Sequence, residues 1–207
     1  MFCFIFLNCL VLISALESRI FNGEISRKGE HGYLVQLNIN SIIMCSGSII
    51  SERWILSSAH CFSFPVNTIN VFQKAGTGIN RQIATVSSNS VKIHPDYVHH
   101  NHDLTNREND IALLKTTKAI RFNDKVYAIK VAKRSPSIGQ SAVIAGYGDN
   151  ESKQLLAKNG IVRITRCPFI VKSLLCTFDK VRAGDADSEG SAQFERQTCR
   201  SHFCELY

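Results

Sequence analysis

Apolar residues along this chain come in short runs rich in Val, Ile and aromatics, each broken by Gly, Asn, Ser or Pro. Tyr33 to Ile39 (YLVQLNI) is one such run, and CSGSIIS, RWILSSA, NTINVFQ, RQIATVSS and SAVIAGYG are others. Their length and punctuation predict strands, and their number predicts an all-β fold built as an antiparallel barrel or sandwich. No long stretch carries the 3.6-residue period of a helix. The segment KVYAIKVAK, Lys125 to Lys133, lies between two strand-rich halves and reads as a link between them. No internal repeat and no low-complexity tract interrupts the pattern.

The first run differs from the rest. MFCFIFLNCLVLISA is continuously apolar, is followed at once by the polar LESR, and ends on the small residues Ser14 and Ala15. It is short for a bilayer span and has the form of a secretory signal, residues 1–15, cleaved near Ala15. Its start carries no Lys or Arg, and the competing reading is an uncleaved anchor. No later segment is long and apolar enough to be transmembrane, so the expectation is a secreted, extracellular protein without a membrane partner.

Composition narrows the class. The chain has 207 residues, 44% hydrophobic and 20% charged, which suits one large domain or two small ones sharing an interface and excludes a disordered chain. The net charge is +7, but no long Lys/Arg run or aromatic-interleaved basic stripe is present, which argues against a nucleic-acid partner. Of eight cysteines, Cys3 and Cys9 would leave with the signal. Cys45, Cys61, Cys167, Cys176, Cys199 and Cys204 remain, and secretion makes disulfides their expected fate. None has zinc-site spacing with histidine partners, and no metal is expected.

Three separated segments carry candidate chemistry. Arg19-Ile20-Phe21-Asn22-Gly23 sets a basic residue before an apolar one shortly after the signal. WILSSAHC places His60 beside Cys61, and ENDIALLK starts an apolar run at Asp110. In this order and at these separations they resemble the chymotrypsin-like serine proteases, most nearly the pattern of insect chymotrypsins. CSGSII, HPDY (His94 to Tyr97), AGYG (Ala145 to Gly148) and CTFDKV add to the resemblance, which runs from about Ile20 through Val181.

The resemblance implies two antiparallel Greek-key β-barrels of the chymotrypsin type, about residues 20–124 and 125–188. It also implies a propeptide at 16–19 and peptide-bond hydrolysis by a His-Asp-Ser triad. A serine hydroxyl is a weak nucleophile at neutral pH and needs an adjacent base. His60 would be that base and, later, the acid that protonates the leaving amine; Asp110 would fix its tautomer and stabilise the imidazolium. His94, His99, His100 and His102 read as ordinary surface or core histidines. Cleavage after Arg19 by an activating protease would free the Ile20 amino group to pair with Asp187, since a buried charge persists only when paired. The implied disulfides are Cys45–Cys61, around His60, and Cys167–Cys176, in the second barrel. Each is worth roughly 2–4 kcal/mol in typical cases.

The pattern breaks near the end. The family's nucleophile lies in Gly-Asp-Ser-Gly-Gly-Pro after a cysteine, whereas this chain has AGDADSEGSA, Ala183 to Ala192. Asp187-Ser188 is the best match, making Ser188 the candidate nucleophile. Ala186 stands where the first glycine belongs, Glu189 where the second does, and the cysteine is absent. That first glycine supplies a backbone N–H to the oxyanion hole. The tail at 189–207 lacks the alternating strands that should complete the second barrel. Yet one set of codons for GSAQFERQTCRSHFC, read one base later, gives GPLSLNGKLVGLIS. That string has the family's Gly-Pro-Leu, an Asn-Gly hairpin turn and an apolar strand. A one-base shift near Glu189 would account for this; the alternative is a genuine, truncated homologue in which Cys199 and Cys204 are free or form an improvised tail disulfide.

Specificity turns on the pocket floor. Counting from Cys176 places Gly184 there, implying a large apolar or aromatic residue before the scissile bond; a small deletion would instead place Asp185 there, implying Lys or Arg. The expected partners are protein or peptide substrates, protease inhibitors and the activating protease, with the chain a monomer. No cofactor is implied, and Phe72 to Asn80 shows no acidic cluster for calcium. The other reading is a non-catalytic protease homologue acting as a binding or regulatory protein.

Overall fold

A computed structural model describes residues 20–21, 24–27, 29–74, 80–98, 109–147, 157–166, 175–177, 182–183, 197–199 and 204–206. In chain order the first strands are β1 (Ile20–Phe21), β2 (Glu24–Ile25), β3 (Leu34–Ile39), β4 (Ile43–Ser51) and β5 (Trp54–Ser57). A 3₁₀ turn, Ala59–Phe62, follows, then β6 (Thr68–Lys74), β7 (Asn80–Ile93) and β8 (Ala112–Thr116). The rest are β9 (Ser141–Gly146), β10 (Lys158–Thr165), β11 (Leu175–Thr177), β12 (Arg182–Ala183), β13 (Gln197–Cys199) and β14 (Cys204–Leu206).

Strands β3 to β8 close into a barrel in the order β3-β4-β5-β8-β7-β6, every pairing antiparallel. Two meanders, β3-β4-β5 and β6-β7-β8, therefore meet along β5–β8 and β3–β6. The chain from β5 to β6 crosses between them, and His60 lies on that crossing. Val35, Leu37, Ile39, Ile49, Ile55, Ile69, Val71 and Leu114 fill the interior. Burying one such side chain stabilises by roughly 1.5–3 kcal/mol. A single hydrogen bond nets about 1 kcal/mol, so the core, not any polar tie, holds β5 and β8 in register. Gly47 in β4 permits this packing: a Cβ there would stand 2.8 Å from Ile55 Cγ2 and 3.2 Å from the Leu56 carbonyl.

Both faces of β3 are buried. Its odd-numbered residues face the barrel interior, while Leu34 joins Tyr33, Ala145 and Tyr147 in a second cluster toward the other sheet. The Tyr147 hydroxyl donates to the Leu34 carbonyl at 2.9 Å, tying the end of β9 to the barrel. The segment expected to link the two halves does run between β8 and β9, with Ile129 N donating to the Ile49 carbonyl at 2.9 Å.

The second sheet has the order β13-β11-β10-β9-β14, with β2 also on β10, while β1 and β12 form a separate pair. Among the described residues it does not close, so the fold is all-β with one closed barrel and an incomplete second sheet. The tail, whose residues lack the alternating pattern that would complete a second barrel, adds two three-residue strands among the described residues, β13 on β11 and β14 on β9, and the sheet stays incomplete. Sheet edges offer unpaired N–H and C=O groups that an extended segment can satisfy whatever its side chains. No helix among the described residues is long and apolar enough to cross a membrane.

Candidate active site

His60 owes its position to the end of β5. Ile55, Leu56 and Ser57 are buried, and the Ser57 hydroxyl donates to the Ser46 carbonyl at 2.9 Å, fastening that end to β4. The chain then turns through Ala59–Phe62, with Ala59, Cys61 and Phe62 buried, so the turn is anchored by residues flanking the imidazole. Cys61 is disulfide-bonded to Cys45 of β4, with Cα atoms 6.4 Å apart. His60 is thus held by a strand before it and a covalent tie after it.

Asp110 enters from the other meander. It immediately precedes the run into β8, and Asn109 before it has φ 58°, in the left-handed region where Asn is tolerated. Ile111 N donates to the Asn109 carbonyl at 2.7 Å, and His94 N donates to the Ile111 carbonyl at 3.0 Å. The turn aims the Asp110 carboxylate back at His60. Oδ1 accepts from the His60 backbone N–H at 2.8 Å, and Oδ2 lies 2.9 Å from ring Nδ1. The two side chains are 3% and 13% exposed, Asp110 the more buried.

This geometry constrains the imidazole. A carboxylate can only accept, so Nδ1 carries the proton toward Asp110 and a neutral ring keeps its lone pair on Nε2. The arrangement can therefore orient a general base and stabilise the imidazolium it becomes. Nε2 also lies 3.6 Å from Cys61 Sγ. Ligand atoms of Cys45, His60 and Cys61 fall within 4.8 Å of one another, as in a metal site. Both sulfurs are committed to the disulfide, however, and have no thiolate charge with which to hold a cation.

The other sequence candidates are placed unevenly. Ile20 pairs with Ala183 and Phe21 with Arg182, which sets the start of β1 against the segment leading toward Asp187. Cys176 is disulfide-bonded. Cys167, its implied partner, lies outside the described residues, as do Arg19, Gly184, Asp185, Asp187, Ser188 and the signal and propeptide segments. Three supporting features were missed from sequence: the Asn109 turn, the Ser57–Ser46 bond and the His60 backbone donation. The Asn-Asp dipeptide before an apolar run signals such a turn; the other two leave no sequence signal.

Comparison with known proteins follows the same residues. A family model described as Trypsin matches residues 20–192. The chain is 29% identical to a trypsin of Sarcophaga bullata over 93% of this chain and 69% of that protein. It is 27% identical to kallikrein-4 of Homo sapiens over 75% of this chain and 57% of that protein. It is also 29% identical to Protein masquerade of Drosophila melanogaster over 64% of this chain but 13% of that protein. The chain thus spans only part of each relative. The family match takes in the closed barrel, both members of the Asp110–His60 pair and most of the second sheet, so the chain belongs to the trypsin family of serine proteases, hydrolases of the chymotrypsin fold.

Proposed function

We propose that this chain represents a secreted serine endopeptidase made as a zymogen, with His60, Asp110 and Ser188 as its triad. The observation that carries the reading is the doubly held imidazole, bound by Asp110 at its backbone N–H and at Nδ1. Such a ring is oriented before substrate arrives. His60 Nε2 takes the Ser188 hydroxyl proton as Oγ attacks the scissile carbonyl carbon, and the carbonyl π electrons move to oxygen. Backbone N–H groups of Ser188 and residue 186 hold the resulting oxyanion. Collapse breaks the C–N bond, His60 returns the proton to the leaving amine, and water then repeats the sequence on the acyl-enzyme.

Residues 1–15 form the signal and 16–19 the propeptide on this reading; the barrels take 20–124 and 125–188, and 189–207 is an aberrant tail. Cleavage after Arg19 frees the Ile20 amine to pair with Asp187, and the Ile20–Ala183 pairing supports that reach. Gly184 forms the pocket floor and favours a large apolar residue before the cut. The substrates are proteins or peptides, protein inhibitors and an activating protease are the other partners, and the working form is an extracellular monomer. Cys167 bonds to Cys176.

Ala186 and Glu189, standing where two glycines belong, favour a second reading, a non-catalytic homologue that binds or regulates. The test is exposure of folded, Arg19-cleaved protein to a serine-directed phosphonate. Labelling at Ser188 sustains the enzyme, and folded protein that takes no label establishes the homologue. Sequencing the transcript across Glu189 decides the tail: a frame that continues into a completed second barrel confirms the base shift, and its absence removes that explanation.

A further inference from the structure

Three donor atoms meet where β4 faces the turn that carries His60. Cys45 Sγ, Cys61 Sγ and His60 Nε2 all lie within 4.8 Å of one another, and Nε2 stands 3.6 Å from Cys61 Sγ. A tetrahedral zinc, with bonds of about 2.3 Å to sulfur and about 2.0 Å to imidazole, spaces two such donors about 3.5 Å apart. The other side of the ring is prepared as well. Asp110 Oδ2 lies 2.9 Å from Nδ1, which fixes the proton there and leaves the Nε2 lone pair beside the Cys61 sulfur. A carboxylate on the second ring nitrogen is the usual support of a metal-bound histidine. Cys45 and Cys61 are buried, while the His60 side chain keeps 13% of its surface in solvent and opens the cluster to it.

We propose that the chain, once Cys45–Cys61 is reduced, binds one Zn²⁺ through Cys45 Sγ, Cys61 Sγ and His60 Nε2. In the oxidised chain both sulfurs are committed to their bond. A dithiol reductant gives them two electrons and two protons and itself closes to a disulfide; the cation then displaces both protons to solvent. Around zinc the sulfurs part to about 3.8 Å, a shift that rotation about the two Cα–Cβ bonds supplies. Two thiolates and an imidazole suit zinc and not calcium or magnesium. The thiolates also cancel the cation's charge, which leaves no unpaired charge in the core. A small disulfide reverses the state: it takes two electrons from the thiolates and two protons from solvent, and Zn²⁺ is released. On the catalytic reading, the cation holds the lone pair that takes the serine proton, so the reduced, loaded chain is silent. The metal site itself uses neither Ser188 nor the second sheet, and its test is independent of that reading.

The full chain is reduced with a phosphine, which makes the same thiols without adding a competing sulfur donor. It is then titrated with Co²⁺, the coloured substitute for Zn²⁺. The expected result is that one equivalent brings sulfur-to-cobalt charge-transfer absorption and the visible bands of tetrahedral cobalt. Zn²⁺ abolishes both, and the oxidised chain shows neither. Cys176→Ser, which removes another sulfur that reduction frees, leaves the bands intact. His60→Gln and Asp110→Asn keep both sulfurs, and each weakens binding at least about tenfold, as loss of a ligand or of its carboxylate support does. Bands that persist in Cys45→Ser with Cys61→Ser, undiminished affinity in His60→Gln, or bands in the oxidised chain overturn the proposal. A reduced chain that takes up no cobalt overturns it too. Should the double cysteine variant fail to fold, the His60 and Asp110 variants still decide the matter.

Discussion

The carboxylate of Asp110 grips His60 at two points, with Oδ1 on the backbone N–H at 2.8 Å and Oδ2 near ring Nδ1 at 2.9 Å. These residues are 50 positions apart and belong to different meanders of the barrel. One contact places the chain and the other orients the ring. The two can be separated by mutation.

Asp110→Asn keeps an acceptor for the His60 backbone N–H but can present an N–H to the ring, favouring the wrong tautomer. With Ser188 as the nucleophile of the proposed triad, its phosphonate labelling rate should fall on the order of 10⁴-fold, while the urea midpoint barely moves. Asp110→Ala removes both acceptors, and leaving buried donors unpaired should cost a further ~1–3 kcal/mol. Labelling kinetics and urea titration on both variants check this.

Replacing Cys45 and Cys61 together by alanine should lower unfolding stability by roughly 2–4 kcal/mol. The bond closes a loop between positions 16 apart that contains the whole of β5. A thiol reductant cuts the Cys176 bond as well, so the native chain unfolded in urea with reductant should lose at least as much. A native chain indifferent to reductant would show that this bond does not constrain the unfolded state.

Gly47→Ala tests the close approach of β4 and β5. The added methyl meets Ile55 Cγ2 at 2.8 Å, the Leu56 carbonyl at 3.2 Å and Val35 Cγ2 at 3.3 Å. Overpacking of this kind costs typically 1–3 kcal/mol, read as a lower thermal midpoint. Because β5 leads directly to His60, phosphonate labelling should slow as well.

Tyr147→Phe removes the hydroxyl that donates to the Leu34 carbonyl at 2.9 Å but keeps the ring in its cluster with Tyr33, Leu34 and Ala145. The expected loss is about 1 kcal/mol. Urea titration measures it, and no loss would mean that the hydrogen bond adds nothing to the contact between barrel and second sheet.

Much of the first barrel was legible in the residues. YLVQLNI, RWILSSA and NTINVFQ each contain a strand of the structure, because short β-branched runs between turn residues have few other uses. The bounds were less legible: RWILSSA stops being a strand at Ser57, where the chain turns to present His60. β7 runs through Asn80–Ile93, far past the RQIATVSS run, because its polar outer positions hide a strand whose neighbours β6 and β8 supply the pairing. The tail strands β13 and β14 were invisible for the opposite reason, since backbone pairing at a sheet edge asks nothing of the side chains.

By itself the sequence determined the class of fold, the order of the candidate residues and the place where the protease pattern breaks, at Ala186 and Glu189. These follow from local pattern and from motif spacing, which depend on neighbours in the chain. Only the tertiary structure decided that Asp110 binds both the backbone and the ring of His60, and that Lys92, Trp54 and Lys115 share one outer face. Barrel closure sets such contacts, because it brings together strands far apart in sequence and the pleat then decides which of their side chains meet.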